Sequence, residues 1–166
     1  YGLDRVMSRA EAGAMLVRLL GEEEQAAEGA WDHPFRDVAA DSWAEQAVGY
    51  LYDRGLVKGV TETRFAPERS CSLQMFSAFV LRALGYTEAA GDFTYGGAAA
   101  FAAHLGLIPP KALEDEVFLR EYAAAISCRA LAAPLKDGSM SLFDKLVQQG
   151  AISPTAAAAH PELSLL

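Results

Sequence analysis

Apolar residues return every three or four positions along 7–21, MSRAEAGAMLVRLLG, and the same spacing returns along 71–85, CSLQMFSAFVLRALG. Such a period predicts amphipathic helices. Laid without gaps, the two stretches share Ser8/Ser72, Ala14/Ala78, Arg18/Arg82, Leu20/Leu84 and Gly21/Gly85. A third, weaker copy, FLREYAAAISCRALA at 118–132, sets Arg120 opposite Arg9 and Arg129 opposite Arg18. The copies start at 7, 71 and 118, so they do not follow the roughly 34-residue tetratricopeptide period.

The first long helix is predicted over 8–20, with Ser8 as N-cap and Glu11 three residues on as its capping-box partner. Gly21 supplies the stop. Residues 22–33 form a polar connector that extends the helix or loops out. Asp41 or Ser42 caps a helix over 43–54, where Trp43, Ala47, Val48, Leu51 and Tyr52 recur at helical spacing. Gly55 ends it, and 55–67, GLVKGVTETRFAP, is a loop. The second long helix, 72–84, is apolar on every side and belongs in a core. Shorter helices follow at about 97–105 and 140–149, with the third long helix at 118–132 between them. Pro109-Pro110 breaks the chain.

The predicted fold is therefore all-α. Three helix-pair repeats close around a pseudo-threefold three-helix core, the last short helix partnering the first long one. Residues 1–152 form one domain of three units: 1–30 with 140–152, 33–86 and 92–132. Residues 153–166 are a partly flexible tail.

Composition narrows the chemistry. Apolar residues make up 52% of the chain, and the formal charge of −8 argues against duplex nucleic acid as a partner, which requires a basic face. There is no apolar run long enough to span a membrane. Cys71 and Cys128 read as small buried hydrophobes; a disulfide would need their Cβ atoms within about 4.5 Å. No Cys/His cluster suggests a metal, and no cofactor is implied. Neither paired carboxylates, a Ser-His-Asp set nor a Cys-His pair can be assigned, so no enzyme is expected. His33, His104 and His160 are scattered. The repeated Arg18, Arg82 and Arg129 lie in last turns, where a cation suits the helix dipole.

Residues 35–86 resemble an S-layer homology repeat. The resemblance rests on Phe35-x-Asp37-Val38, Trp43-Ala44, Ala47-Val48, Leu51, Gly55-Leu56-Val57, Gly59, Phe65-x-Pro67 and Leu84-Gly85-Tyr86. Ser8-Arg9-Ala10-Glu11 is similar to the T-R-A-E signature opening that family's long helix. The resemblance covers nearly the whole chain as three units, strongly over 7–21 and 33–86 and weakly over 92–152. It implies a bacterial, extracellular module attached to the cell wall or S-layer, binding secondary cell-wall polysaccharide, often a pyruvylated anionic glycan. Other domains of a longer surface protein are further implied partners, since the chain opens at Tyr1 directly before the first copy, with neither Met nor signal sequence. The family's grooves combine the signature arginine with the next repeat's Asp and Trp and its glycine-bearing loop. Matched here, the first groove holds Ser8, Arg9, Asp37, Trp43 and Lys58.

An arginine fork suits a sugar carboxylate, Trp the sugar C–H face and Asp its hydroxyls. In the second copy Leu73 and Met75 replace the charged signature residues, which removes its anion fork. The third copy keeps Arg120, with Glu121 one place early, and makes Arg120 a further candidate contact. The competing reading is a divergent fold acting as spacer or protein-interaction domain in a surface protein.

Overall fold

The computed structural model describes residues 2–165. Among them are nine α-helices and no strand beyond isolated bridges. The all-α expectation holds. None of these helices is long and apolar enough to cross a membrane. The backbone divides into two compact units, residues 6–71 and residues 2–5 with 72–165.

The 6–71 unit holds α1 (Arg9–Leu19), α2 (Glu23–Glu28) and α3 (Trp43–Asp53). α1 starts where the capping box predicts. The Ser8 hydroxyl accepts from the Glu11 amide at 3.2 Å, and the Ser8 amide donates to Glu11 Oε2 at 2.8 Å. Gly21, at φ 65°, ends the helix in the left-handed region that an L side chain resists. The polar connector carries α2, a short helix that sequence periodicity left open. Ser42 occupies the α3 N-cap position without a side-chain cap bond. α1 lies on α3 with Leu16, Val17, Val48, Tyr50 and Leu51 buried between and around them. Gly13 faces α3, where a Cβ would stand 3.4 Å from a Leu51 methyl.

The 2–5 and 72–165 unit holds α4 (Leu73–Ala83), α5 (Ala98–His104), α6 (Pro110–Glu114), α7 (Arg120–Ala132), α8 (Leu142–Gln148) and α9 (Pro154–Ala158). Nine of α4's eleven residues are buried, as its all-round apolar pattern requires. α4 packs on α5 and α7, and Phe76 meets Phe118 with ring centroids 5.7 Å apart. Pro109-Pro110 does not simply break the chain. Pro110 takes the first helical position of α6, where a missing N–H is harmless.

The expected tail contains α9, and its far end reaches α8. Asp144, 5% exposed, accepts from the Ser164 hydroxyl and from the Leu165 amide at 2.8 Å. Burial alone would raise its pKa. The bonds from Ser164, Leu165 and Ser141 outweigh burial and hold it at about 2. Cys71 is buried and Cys128 exposed, and neither forms a disulfide. The reading of both as buried hydrophobes is thus correct only for Cys71, because Cys128 falls on the outer face of α7.

The repeated arginines have sharper reasons than the helix dipole. Arg82, 6% exposed, makes a two-point pair with Glu88, Nη2 to Oε1 at 2.6 Å and Nε to Oε2 at 3.2 Å. Arg129 donates to the Gly106 and Ile108 carbonyls at 3.2 and 3.1 Å. Only Arg18, paired at 2.9 Å with Glu23 on an open surface, resembles the solvated last-turn cation the sequence suggests.

Candidate functional site

In the 6–71 unit, the loop after α3 is fastened to the start of α1 along its backbone. The Arg9 amide donates to the Arg69 carbonyl at 2.9 Å, the Ala10 amide to Pro67 at 3.0 Å, and the Cys71 amide to Met7 at 2.8 Å. These bonds lay 67–71 beside 7–10. They place the Arg9 side chain against the inside of the loop.

Arg9 is 3% exposed. Its Nε donates to the Phe65 carbonyl at 2.7 Å and its Nη2 to the Lys58 carbonyl at 3.0 Å. The guanidinium carbon lies 4.5 Å from the Phe65 ring centroid, a cation–π distance. Asp37 grips the same stretch from the other side. Its Oδ1 accepts from the Phe65 amide and its Oδ2 from the Ala66 amide, both at 2.8 Å. Burial pushes the Asp37 pKa up, but the Phe65 and Ala66 amides, with Arg64 nearby, outweigh it and leave the carboxyl below its usual value. Phe65 is therefore held through both its carbonyl and its amide by opposite charges. The conformation fixed in this way includes Ala66 at φ 58°, a left-handed value uncommon for a residue with a Cβ.

The loop also turns tightly on itself. The Val60 amide donates to the Arg64 carbonyl at 2.8 Å. Gly59 sits inside that turn. A Cβ there would lie 2.2 Å from the Thr61 carbonyl oxygen, 2.6 Å from the Phe35 ring and 2.7 Å from the Arg64 oxygen. Gly59→Ala is expected to cost several kcal/mol, because backbone as well as side chain must shift. Urea unfolding of the variant checks this; a change under about 1 kcal/mol would mean the turn yields easily.

Outside the loop lies an open groove of about 490 Å³, bordered by Asp37, Val60, Arg64, Pro67, Glu68 and Arg69. Arg64 and Arg69 are both exposed. Arg64 Nε stands 3.8 Å from Asp37 Oδ2, a loose pairing that leaves its side chain 66% exposed. The arrangement offers two cations and a rim carboxylate, Glu68, over a partly apolar floor. It suits an acidic, hydroxylated ligand. Among the described residues no group of His, Cys, Asp and Glu is arranged to hold a metal.

The sequence-derived candidates take different places. Arg9 and Asp37 converge on Phe65, and Lys58 joins them through its carbonyl, while its side chain is exposed. Ser8 is engaged in the capping box. Trp43, 62% exposed, opens α3 six residues beyond Asp37. Arg120 lies in the other unit, half-buried at the first position of α7, its amide donating to the Arg5 carbonyl at 2.9 Å. Sequence reasoning missed Arg64 and Arg69. The signal available for them was two arginines flanking Phe65-x-Pro67.

The family model described as "S-layer homology domain" matches residues 34–73, the stretch that contains Asp37, Trp43, Lys58 and the whole groove. The chain is 33% identical over 154 residues to a "Cell surface protein" of Thermoanaerobacter kivui, covering 90% of this chain and 20% of that protein. It is 29% identical over 86 residues to a "Middle cell wall protein" of Brevibacillus brevis, 52% of this chain and 8% of that one. A "Cellulosome-anchoring protein" of Acetivibrio thermocellus is 29% identical over 89 residues, again 52% of this chain and 20% of its own length. The chain thus spans a fifth or less of each of these curated relatives. Residues 34–73 thus form an S-layer homology domain, a cell-surface anchoring module, in a chain whose relatives are cell-surface and cell-wall proteins.

Proposed function

We propose that this chain is a non-catalytic, extracellular anchoring module that binds secondary cell-wall polysaccharide, an anionic and often pyruvylated glycan, and holds other domains of a longer surface protein at the wall. The observation that carries the reading is the coincidence of the 34–73 family match with the Asp37–Arg69 groove. Two guanidinium groups suit a sugar carboxylate through charge-assisted bonds. The exposed Trp43 ring offers a flat apolar face for sugar C–H groups.

The same reading keeps residues 1–152 as one domain of three repeats. A recurring backbone step supports it. Arg9 and Ala10 donate to Arg69 and Pro67 at the start of α1, and Arg120 and Glu121 donate to Arg5 and Leu3 at the start of α7. Each pair steps back two residues along the segment it meets.

A second reading, a spacer or protein-interaction domain, is favoured by one observation. The signature arginine of the intact copy is turned inward onto carbonyls. The two readings separate in a co-sedimentation assay with cell-wall sacculi. The anchoring reading expects the chain to pellet with intact sacculi and to stay in solution once the secondary polymer is stripped. Equal pelleting with stripped sacculi would sink the glycan, and self-association by light scattering without glycan binding would favour the second reading.

A further inference from the structure

Resting on the glycan-binding function proposed above, we infer that the side chains which read the ligand's negative charge are Arg64 and Arg69, and that Arg9 is a positioning residue. Four observations lead there. Arg9 is 3% exposed, and its Nε and Nη2 are directed at the Phe65 and Lys58 carbonyls. Arg64 and Arg69 border the groove and are exposed to it. Both belong to the segment that Arg9 fastens, since the Arg9 amide also binds the Arg69 carbonyl. Ala66, between the two, holds a left-handed conformation at φ 58° that a free alanine avoids.

These facts combine into one device. The Arg9 guanidinium pulls on the Phe65 carbonyl while Asp37 holds the Phe65 and Ala66 amides. The strained turn at Ala66 persists because charges on both sides over-determine it. Its consequence is to present Arg64 and Arg69 to one groove instead of letting them move with a free loop. Holding both cations in place before the ligand arrives lowers the ordering cost of binding. Asp37's two oxygens are engaged by the two amides, so its charge opposes an incoming carboxylate less than an unengaged one would. Glu68, on the rim, is the remaining acidic group of the groove.

The recognised chemistry is a carboxylate-bearing sugar. Two sources share it, a pyruvyl ketal and a uronic acid, and mild acid removes only the first. The probe is purified secondary wall polysaccharide, native or mild-acid treated, titrated calorimetrically into the whole chain. Arg64→Ala and Arg69→Ala are each expected to weaken binding about tenfold, and Glu68→Gln to tighten it, with thermal unfolding unchanged. Affinity lost on acid treatment assigns the pyruvyl group, and affinity retained assigns the uronic acid.

Arg9→Ala is expected to weaken binding and to speed amide hydrogen exchange at Phe65 and Ala66 at least tenfold. Adding Ala66→Gly to Arg9→Ala removes the left-handed penalty and should restore affinity about threefold. A direct ligand contact by Arg9 predicts no such rescue, and slow exchange at Phe65 in the variant. Wild-type binding that survives Arg64→Ala/Arg69→Ala with the fold intact overturns this inference and leaves the anchoring function standing. A wild-type chain with no affinity for the polysaccharide overturns the function itself, and this inference with it.

Discussion

Arg9→Ala is expected to lower the stability of the chain by about 2–5 kcal/mol, and its thermal midpoint by roughly 5–15 °C. The substitution leaves the buried Phe65 carbonyl without its cationic donor, worth about 1–3 kcal/mol when unsatisfied, and the part-buried Lys58 carbonyl without its own. It also removes the cation–π contact with the Phe65 ring. Asp37 still binds the Phe65 and Ala66 amides, but from one side only. Arg9→Lys should recover little. An ammonium is a point donor and cannot direct two N–H groups from a planar fork at carbonyls seven residues apart in the chain. Differential scanning calorimetry of the three proteins decides the matter. A wild-type midpoint for Arg9→Ala would show that the loop holds itself and that Arg9 is free to serve the ligand.

The second large effect falls on the other unit. Arg82→Ala is expected to cost about 2–4 kcal/mol, because it takes a two-point cationic donor away from the Glu88 carboxylate, whose side chain is only 19% exposed. Replacing both members, Arg82→Met with Glu88→Gln, should be milder than the single change. No uncompensated charge then remains. Urea titrations of the single and double variants measure the difference. If the double variant loses more than Arg82→Ala, the loss comes from packing of the long side chain rather than from stranded charge. The pair is local, six residues apart, yet it ties the end of α4 to the turn that follows.

How much of this was written in the sequence depends on how far each interaction reaches along the chain. The start of α1 was legible because Ser8 and Glu11 lie three residues apart and satisfy each other. The burial of α4 was legible because its apolar residues cover every side of the helix. α6 and α9 were not, since five-residue helices carry too little periodicity to stand out from turns. The role of Arg9 was only half legible. Its place in the Ser8-Arg9-Ala10-Glu11 signature marked it as special, but its acceptors come from 49 and 56 residues away, on a loop whose path no local rule gives. Ala66 is the clearest omission. A glycine would have announced a left-handed turn, whereas alanine occupies one only because Arg9 and Asp37 hold its neighbours. Arg64 and Arg69 went unmarked because it is the path of the turn, not their local sequence, that brings them to one groove.

The proposed site shows how an acidic protein could take an acidic ligand. The net charge of −8 is spread over the whole chain, and charges more than about 8 Å from a site are largely screened at physiological salt. Under that proposal, what the ligand would meet is the local field of Arg64 and Arg69. The loop that carries them is fixed from within by the signature arginine.

The most direct measurement is an amide chemical-shift titration of the isotopically labelled chain with the purified wall polysaccharide. The account predicts that saturable shifts cluster at residues 60–69 and around Asp37 and Trp43, with little change along α5 and α6. Shifts that cluster elsewhere, or none at saturating polysaccharide, would contradict it.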